Sequence, residues 1–219
     1  ETGFVATASA ETAARSLLLH LASQVPLLVS GPAGCGKTFF LRCLARLHGQ
    51  ERPHVLFLDN DSDSKSLLGQ YVCSPSEPGV FLWQDGVLAR ALQEGHWVIL
   101  EDVDVVPSEV LAMLAQLTAA PVVHAPERRA VIHAHPGFRM IGTLSTDAER
   151  ATAVPPLVSG WGHHRIPYPT DDELVEIVEA MYPAIKSLAR SLVRTFVSLQ
   201  EMRGDRAPED APAGWKKPP

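Results

Sequence analysis

The sequence has few cysteines, no long apolar run and no excess of basic charge. Its three cysteines, Cys35, Cys43 and Cys73, are too few and too unevenly spaced for a disulfide framework or a C-x-x-C metal site, which favours a reducing compartment. No apolar run approaches the roughly 18 residues that span a bilayer, and the first residues lack the charged and apolar regions of a signal peptide. We therefore expect a soluble, intracellular protein with no membrane partner.

Acidic residues outnumber basic residues by 25 to 19, which gives a formal net charge of -6. This balance provides no basic field to attract phosphates, so we expect no direct, sequence-specific nucleic acid binding. The composition, 46% hydrophobic and 20% charged, is that of a globular protein and excludes a chain disordered over its whole length. Its 219 residues suffice for one large domain, or for one domain and a fragment of a second.

Short apolar runs alternate with helical patterns along most of the chain. Residues 27–30, 97–100 and 138–142 are apolar in the manner of buried parallel strands. Alternation of strands with helices predicts right-handed crossovers, and therefore an α/β fold with a doubly wound parallel sheet. The other predicted elements are helices over 11–24, 37–48, 64–71, 86–94 and 107–118, and strands over 55–58 and 164–166.

The chain divides by pattern into a core, a helical segment and a tail. Two segments of the core, around 72–83 and 122–135, predict β-hairpins. After Pro167 the pattern is purely helical, over 171–181 and 184–202, and residues 204–219 are Pro-rich, charged and typical of a disordered linker. We therefore predict an α/β core over 1–168, a partial helical subdomain over 169–203 and a disordered tail over 204–219.

A complete phosphate-binding loop, G-x-x-x-x-G-K-T, occupies residues 31–38. It lies between an apolar strand and a helix, where glycines let successive backbone N–H groups turn toward a phosphate and the helix N-terminus adds a favourable dipole. Lys37 is expected to reach the β- and γ-phosphates, and the Thr38 hydroxyl to bind Mg²⁺. The predicted ATP-binding residues are Gly31, Pro32, Ala33, Gly34, Cys35, Gly36, Lys37, Thr38 and Phe39.

An acidic pair, Glu101 and Asp102, follows the apolar run 97–100. In phosphate-loop ATPases one such carboxylate holds Mg²⁺ and the next polarises the attacking water, usually in the order Asp then Glu. The order is reversed here, and a shift of about 1 Å at a catalytic group can lower a rate on the order of 100-fold. We therefore expect ATP binding to survive better than hydrolysis, with Thr38 and Glu101 as metal ligands. Asp104 is an alternative acid, although its place favours a role at the entry to the next helix.

A polar residue near the end of the strand that begins at Phe138 is expected to sense the γ-phosphate. The candidates are Thr143 and Ser145. The histidines are scattered and lack cysteine or acidic partners at metal-binding spacing, so no metal site is expected among them.

Several segments together resemble the midasin family, the giant dynein-related AAA+ proteins of large ribosomal subunit assembly. The phosphate-binding loop alone is generic, but D-S-K-S-L-L-G at 63–69 followed by W-Q-D-G at 83–86 is specific. The Glu-Asp order of the acidic pair is most similar to the first AAA module of that family. The resemblance extends over roughly residues 25–200 and includes the segments 30–38, 63–71, 81–86 with Leu88 and Ala91, 95–104 and 136–143.

The resemblance implies a ring of AAA modules within one polypeptide, with ATP and Mg²⁺ bound between neighbouring modules. It implies remodelling of pre-60S ribosomal particles, with assembly-factor proteins as partners, in the nucleolus and nucleoplasm of the nucleus. The two hairpins match insertions that face the ring surface or pore, and residues 169–203 match the start of a helical lid.

Two departures from the family bear on catalysis. The sensor asparagine of the family aligns with Ser145, so that the predicted catalytic residues are Glu101, Asp102 and Ser145. The stretch that normally carries the arginine finger falls on 157–161, which contains no arginine. Arg150 and Arg165 are nearby alternatives, but the sequence favours a module that supplies no finger to its neighbour, a loss of about 10³ to 10⁵ in rate.

Two other functions remain open. One is a stand-alone MoxR-like ATPase that acts as a chaperone in metal cofactor insertion or complex assembly. The other is a catalytically silent module whose nucleotide is structural and whose surface docks an assembly partner.

Overall fold

The computed structural model describes residues 3–23, 25–125, 130–146 and 160–202. Within these ranges the strands are β1 (Leu27–Gly31), β2 (His54–Phe57), β3 (Gly69–Cys73), β4 (Phe81–Asp85), β5 (Trp97–Glu101), β6 (Val122–Ala125), β7 (Ala130–His133), β8 (Arg139–Ser145) and β9 (Gly162–Arg165). The helices are α1 (Ala8–Leu21), α2 (Lys37–Leu47), α3 (Ser64–Leu68), α4 (Val87–Glu94), α5 (Ser108–Ala119), α6 (Asp171–Met181) and α7 (Ala189–Met202), with a 3₁₀ helix, Pro183–Leu188, before α7. None of these helices is long and apolar enough to cross a membrane.

Five strands form a parallel sheet in the order β2-β5-β8-β1-β9. The strand β1, which precedes the phosphate-binding loop, pairs with β8 on one side and β9 on the other. The strand β5, which carries Glu101, pairs with β8 on its far side from β2. The predicted α/β fold with a doubly wound parallel sheet is confirmed, and the carboxyl ends of β1, β5 and β8 meet at one edge.

Helices cover both faces of the sheet. Successive strand residues point to opposite faces, and Leu27 and Val29 accordingly join one buried cluster while Leu28 joins the other. The first cluster packs the sheet against α1 and α2, and the second packs it against α4 and α5. Burial of apolar surface on both sides, worth about 25 cal/mol for each Å², holds the strand ends in fixed register.

Both predicted hairpins are confirmed as antiparallel pairs, β3 with β4 and β6 with β7. The turn of the second hairpin, residues 126–129, lies outside the described residues. The predicted helix over 64–71 is wrong after Leu68, because Gly69 begins β3 with a φ of 133°. A side chain at Gly69 would approach within 2.5 Å of the Gln84 carbonyl oxygen on β4, so only glycine allows the helix to turn directly into the hairpin.

Several predicted boundaries shift by a few residues. The first helix spans 8–21 rather than 11–24, because Thr7 caps its N-terminus by accepting the Ala10 N–H. The predicted helix over 184–202 is α-helical only from Ala189 and begins as a 3₁₀ helix at Pro183. The strand predicted over 138–142 continues to Ser145, which brings both sensor candidates into β8.

One carboxylate joins the N-termini of two helices. Glu173 closes a capping box with Thr170 at the start of α6, and its Oε1 accepts the Ser9 N–H of α1 at 2.9 Å. Burial raises the pKa of Glu173, but the hydrogen bonds from Ser9 and Thr170 outweigh this effect and lower the pKa from 4.5 to about 2. The ionised Glu173 carboxylate therefore links the N-terminus of α6 to the N-terminus of α1.

The first glycine of the phosphate-binding loop is required by packing against β9. The Ile166 N–H donates to the Ser30 carbonyl at 2.8 Å, which continues the pairing of β1 with β9. A Cβ at Gly31 would overlap the Ile166 carbonyl oxygen and lie 3.0 Å from Cys35 Sγ. The close approach of β9 thus leaves no room for a side chain at this position.

The link through Glu173 predicts a dependence of stability on pH. A depressed pKa contributes stability above the unfolded-state value of about 4.5 and loses it as the pH falls toward 2. Since the side chain is partly exposed, we expect Glu173→Gln to lower the unfolding free energy by about 1 kcal/mol near neutral pH. Urea unfolding at several pH values should show this difference shrinking below about pH 4.5, whereas a constant difference contradicts it. Glu176→Gln, at an exposed position of the same helix, is the control.

The close contact at Gly31 predicts that Gly31→Ala destabilises the nucleotide-free protein by about 1–3 kcal/mol, because β9 must move away. The measurement is urea unfolding without nucleotide. Ala33→Ser, at an exposed position of the same loop, should change stability by less than about 0.5 kcal/mol. Equal stabilities for wild type and Gly31→Ala would show that β9 does not constrain the loop.

Candidate nucleotide-binding site

A cavity of about 350 Å³ lies at the carboxyl edge of the sheet, where β1, β5 and β8 end. Residues from the phosphate-binding loop form one wall, and residues from the ends of β5 and β8 form the other. Most residues predicted to bind or act on ATP lie here. The lining residues are Ala33, Gly34, Gly36, Lys37, Thr38, Phe39, Glu101, Asp102 and Ser145.

The loop takes its shape from two glycines in left-handed conformations. Gly34 has a φ of 73° and Gly36 a φ of 86°, and no atom lies within 4 Å of a Cβ built at either position. Backbone conformation rather than crowding therefore requires glycine at both. Gly36 is also the N-cap of α2, and this helix N-terminus borders the cavity. The N–H groups of the first turn and the helix dipole favour an anion at this point.

Lys37 folds back on its own loop. Its Nζ donates to the carbonyl oxygens of Gly31 at 2.9 Å and Pro32 at 2.8 Å. Both acceptors are neutral, and an ammonium group makes stronger hydrogen bonds to phosphate oxygens than to carbonyls. The ammonium is thus held at the cavity wall by bonds that an anion can replace. Gly31 and Pro32 contribute acceptors for Lys37 rather than lining the cavity.

Side chains from two other elements meet at Glu101. Its Oε1 accepts a hydrogen bond from Thr38 on α2, and its Oε2 accepts one from Thr143 on β8 at 2.9 Å. The two predicted metal ligands, Thr38 and Glu101, are therefore in direct contact. Hydroxyl and carboxylate oxygens are the ligand types that Mg²⁺ prefers.

Asp102 lies just beyond the end of β5 with an unusual backbone. Among the residues that the structure describes, Asp102 is the one residue other than glycine with a positive φ, 56°. Such a conformation costs about 1–3 kcal/mol and persists only where the surroundings enforce it. Asp102 lines the cavity across from the loop, as expected for a residue that polarises water near the terminal phosphate.

The two sensor candidates on β8 differ in position. Ser145, which pairs with Gly31 in the sheet, lines the cavity. Thr143 is fully buried, does not line the cavity and bonds Glu101 instead. As a γ-phosphate sensor Thr143 is thus excluded by its position, and Ser145 remains the candidate.

Other candidates lie away from the cavity. Cys35 is buried beside Gly31, so its side chain packs inside the protein and does not line the cavity. Asp104 does not line the cavity, and its Oδ1 is buried without a hydrogen-bond partner among the described residues. Arg165 is exposed at the end of β9, while Arg150 lies outside the described residues. Within the described ranges no group of three or more histidine, cysteine or acidic residues is placed to hold a metal ion.

The residues around the cavity fit a nucleotide with its metal ion. A cation, a helix N-terminus and two glycine-shaped turns face the space that phosphates require, while the Thr38–Glu101 contact supplies adjacent oxygen ligands. The sequence named Thr143 as a sensor candidate but did not predict its hydrogen bond to Glu101, because nothing in the pattern distinguishes a hydroxyl that faces the cavity from one that faces Glu101. Alternation along β8 places Thr143 and Ser145 on the same face, so it gives no signal that separates them.

The chain is similar to two proteins of known name. The chain is 32% identical over 183 residues to Midasin from Dictyostelium discoideum, which covers 83% of this chain and 3% of that protein. It is 32% identical over 129 residues to Protein NorQ from Paracoccus denitrificans, which covers 57% of this chain and 45% of NorQ. The chain thus spans less than half the length of either relative.

The fold also matches a solved structure. The crystal structure of a protein from Cytophaga hutchinsonii superposes with a TM-score of 0.59 at 17% identity, over 81% of this chain and 52% of that one. Residues 26–159 match the family described as AAA domain (dynein-related subfamily), and this range contains the loop, the acidic pair and both hairpins. The chain is therefore an AAA+ phosphate-loop ATPase module and belongs to the dynein-related subfamily of AAA domains.

Proposed function

We propose that this chain is the Mg-ATP-binding AAA+ module of a midasin-like protein that remodels pre-60S ribosomal particles. The proposal of nucleotide binding rests on one observation: Lys37, Thr38 and Glu101 line the same cavity at the end of the central strands. The identity with Midasin over 83% of the chain supports the assembly part.

Each residue has a definite role in this proposal. Lys37 exchanges the Gly31 and Pro32 carbonyls for phosphate oxygens, and the N–H groups of Gly34 to Gly36 hold the same phosphates. Thr38 and Glu101 hold Mg²⁺, which when bound offsets the negative charge of the phosphates. Asp102 orients the attacking water, and Ser145 contacts the terminal phosphate.

Hydrolysis at this site is weak in the proposal. Asp102 is one methylene shorter than the glutamate usual at this position, so its carboxylate stands farther from a water at the terminal phosphate. The Arg-free stretch 157–161, most of which lies outside the described residues, supplies no arginine finger to a neighbouring module. The short Asp102 lowers turnover at this site, and the missing finger lowers it at the neighbouring module's site. Neither feature removes a group that holds ATP.

The proposed setting is a ring of AAA modules, with neighbouring modules and ribosome-assembly factors as partners, in the nucleolus and nucleoplasm. Likeness to midasin supports these assignments. The formal charge of -6 supports contact with the particle through proteins rather than through RNA.

A second candidate is a stand-alone MoxR-like ATPase, which the likeness to NorQ over 45% of that protein favours. Such an enzyme should assemble into a homohexamer with steady turnover. Light scattering of the purified chain distinguishes the two, because the midasin-like proposal expects no closed homohexamer. A third candidate is the silent docking module, whose nucleotide is structural and whose surface docks an assembly partner, and turnover at this site separates it from the first.

Nucleotide binding predicts a shift in stability. ATP with Mg²⁺ at about 100 times its dissociation constant should raise the unfolding free energy by about 2.7 kcal/mol. Thermal unfolding with and without ATP or ADP measures the shift. Lys37→Ala should abolish most of it, and Lys65→Ala, at an exposed lysine of α3, should retain it. Absence of any shift in the wild-type protein contradicts nucleotide binding.

The reversed acidic order predicts a gain of turnover on reversal. In the intact parent protein, where a neighbour completes the site, the double change Glu101→Asp with Asp102→Glu should raise hydrolysis at this site by about 10- to 100-fold. Lys37→Ala sets the background, and Asp102→Asn should lower turnover below wild type if this site hydrolyses ATP. Equal turnover for Asp102→Asn and wild type supports the silent module instead.

A further inference from the structure

We infer that Thr143 is the positioning residue of this site, fixing Glu101 through its side chain and Asp102 through its backbone. The inference rests on the proposed function, in which the two acidic residues serve the metal ion and the water. It assigns to Thr143 a role distinct from contact with phosphate, because its side chain is fully buried and does not line the cavity.

The hydrogen bonds of Thr143 have a fixed direction. A hydroxyl can donate one hydrogen bond and accept two. The Glu101 carboxylate can only accept when ionised, and the Asp102 backbone N–H can only donate. The Thr143 hydroxyl must therefore donate to Glu101 Oε2, at 2.9 Å, and accept from the Asp102 N–H, at 3.3 Å. One rotamer of one side chain satisfies both acidic residues at once.

The main chain of Thr143 adds a second attachment. The Val103 N–H donates to the Thr143 carbonyl at 3.1 Å, so both peptide groups that flank Asp102 bond to the same residue. These two hydrogen bonds hold Asp102 at its φ of 56°, a left-handed conformation that costs free energy in residues other than glycine. Hydrogen bonds to β8 thus hold the backbone on both sides of Asp102.

The same hydroxyl completes the hydrogen bonding of Glu101. Thr38 donates to Oε1 and Thr143 to Oε2, so donors on two elements hold the two oxygens. Glutamate has one more rotatable bond than the aspartate usual at this position, and a second donor removes the freedom that this bond adds. Thr143 therefore offsets the extra flexibility that a glutamate, in place of the usual aspartate, brings to the metal-binding position.

Substitution of Thr143 by serine and by valine distinguishes hydrogen bonding by its hydroxyl from packing of its side chain. Serine keeps the hydroxyl and loses only a methyl group, whereas valine keeps the shape and can neither donate nor accept. Thr118→Val on α5 is a matched control, because the buried Thr118 hydroxyl has no hydrogen-bond partner within the part of the chain that the structure describes.

The first measurement is amide hydrogen exchange at Asp102 in the nucleotide-free full chain. Thr143→Val should speed this exchange by about tenfold or more, because the N–H loses its acceptor. Thr143→Ser and Thr118→Val should leave it near the wild-type rate. Equal rates in Thr143→Val and wild type, or equally fast exchange in Thr143→Ser, would overturn the inference.

The second measurement is the ratio of ATP affinities with Mg²⁺ and with EDTA, obtained by calorimetry. Thr143→Val should reduce this ratio about tenfold while leaving the affinity in EDTA unchanged, since a hydrogen bond that orients a metal ligand is worth about this factor. Thr143→Ser should keep the wild-type ratio, because serine retains the hydroxyl. An unchanged ratio in Thr143→Val, or an equal loss of affinity in EDTA, overturns the part of the inference that concerns Glu101.

The two measurements distinguish failure of this inference from failure of the proposed function. If the wild-type chain binds no ATP, the proposed function fails while the exchange at Asp102 still tests the positioning of the backbone. If Thr143→Val does not fold, the wild-type protein decides the matter. A Thr143 hydroxyl that donates to Glu101 gives a proton resonance protected from exchange with water, and absence of that resonance contradicts the bond.

Discussion

The parallel pairing of β5, β8 and β1 is the constraint on which the site depends. All three strands end at the same edge of the sheet, where the loop after β1, the acidic pair at the end of β5 and the hydroxyls of β8 come together. A slip of one residue between strands would turn each side chain to the opposite face. Apolar packing on both faces of the sheet prevents this slip and so maintains the geometry of the cavity.

The reversed acidic pair changes the site on its two sides differently. On the metal side, Glu101 is long enough to contact Thr38 and Thr143 at once, and both of its oxygens are fixed. On the water side, Asp102 is short and stands on a backbone in a left-handed conformation. The fixed Glu101 and the short Asp102 are the two observations behind the proposal that this site holds Mg-ATP better than it cleaves it.

Sequence reasoning predicted the parts that follow from local patterns. Apolar runs, the glycine and lysine spacing of the loop and the acidic pair indicated the sheet, the cavity and its ATP-binding wall. It missed what depends on contacts between distant segments. The change from helix to strand at Gly69 follows from its close approach to the Gln84 carbonyl of β4, and the role of Thr143 follows from its depth in β8. The bond from Ser9 to Glu173 joins residues 164 positions apart, and no local pattern reveals such a contact.

The central claim is that Thr38, Glu101 and Lys37 together form a site for ATP with its metal ion. The most direct measurement is calorimetric titration of the wild-type chain with ATP, once with Mg²⁺ and once with EDTA. We predict saturable binding at one site per chain, tighter with Mg²⁺ because Thr38 and Glu101 then contribute oxygen ligands. Binding of equal strength in both titrations, or no binding in either, would contradict this claim.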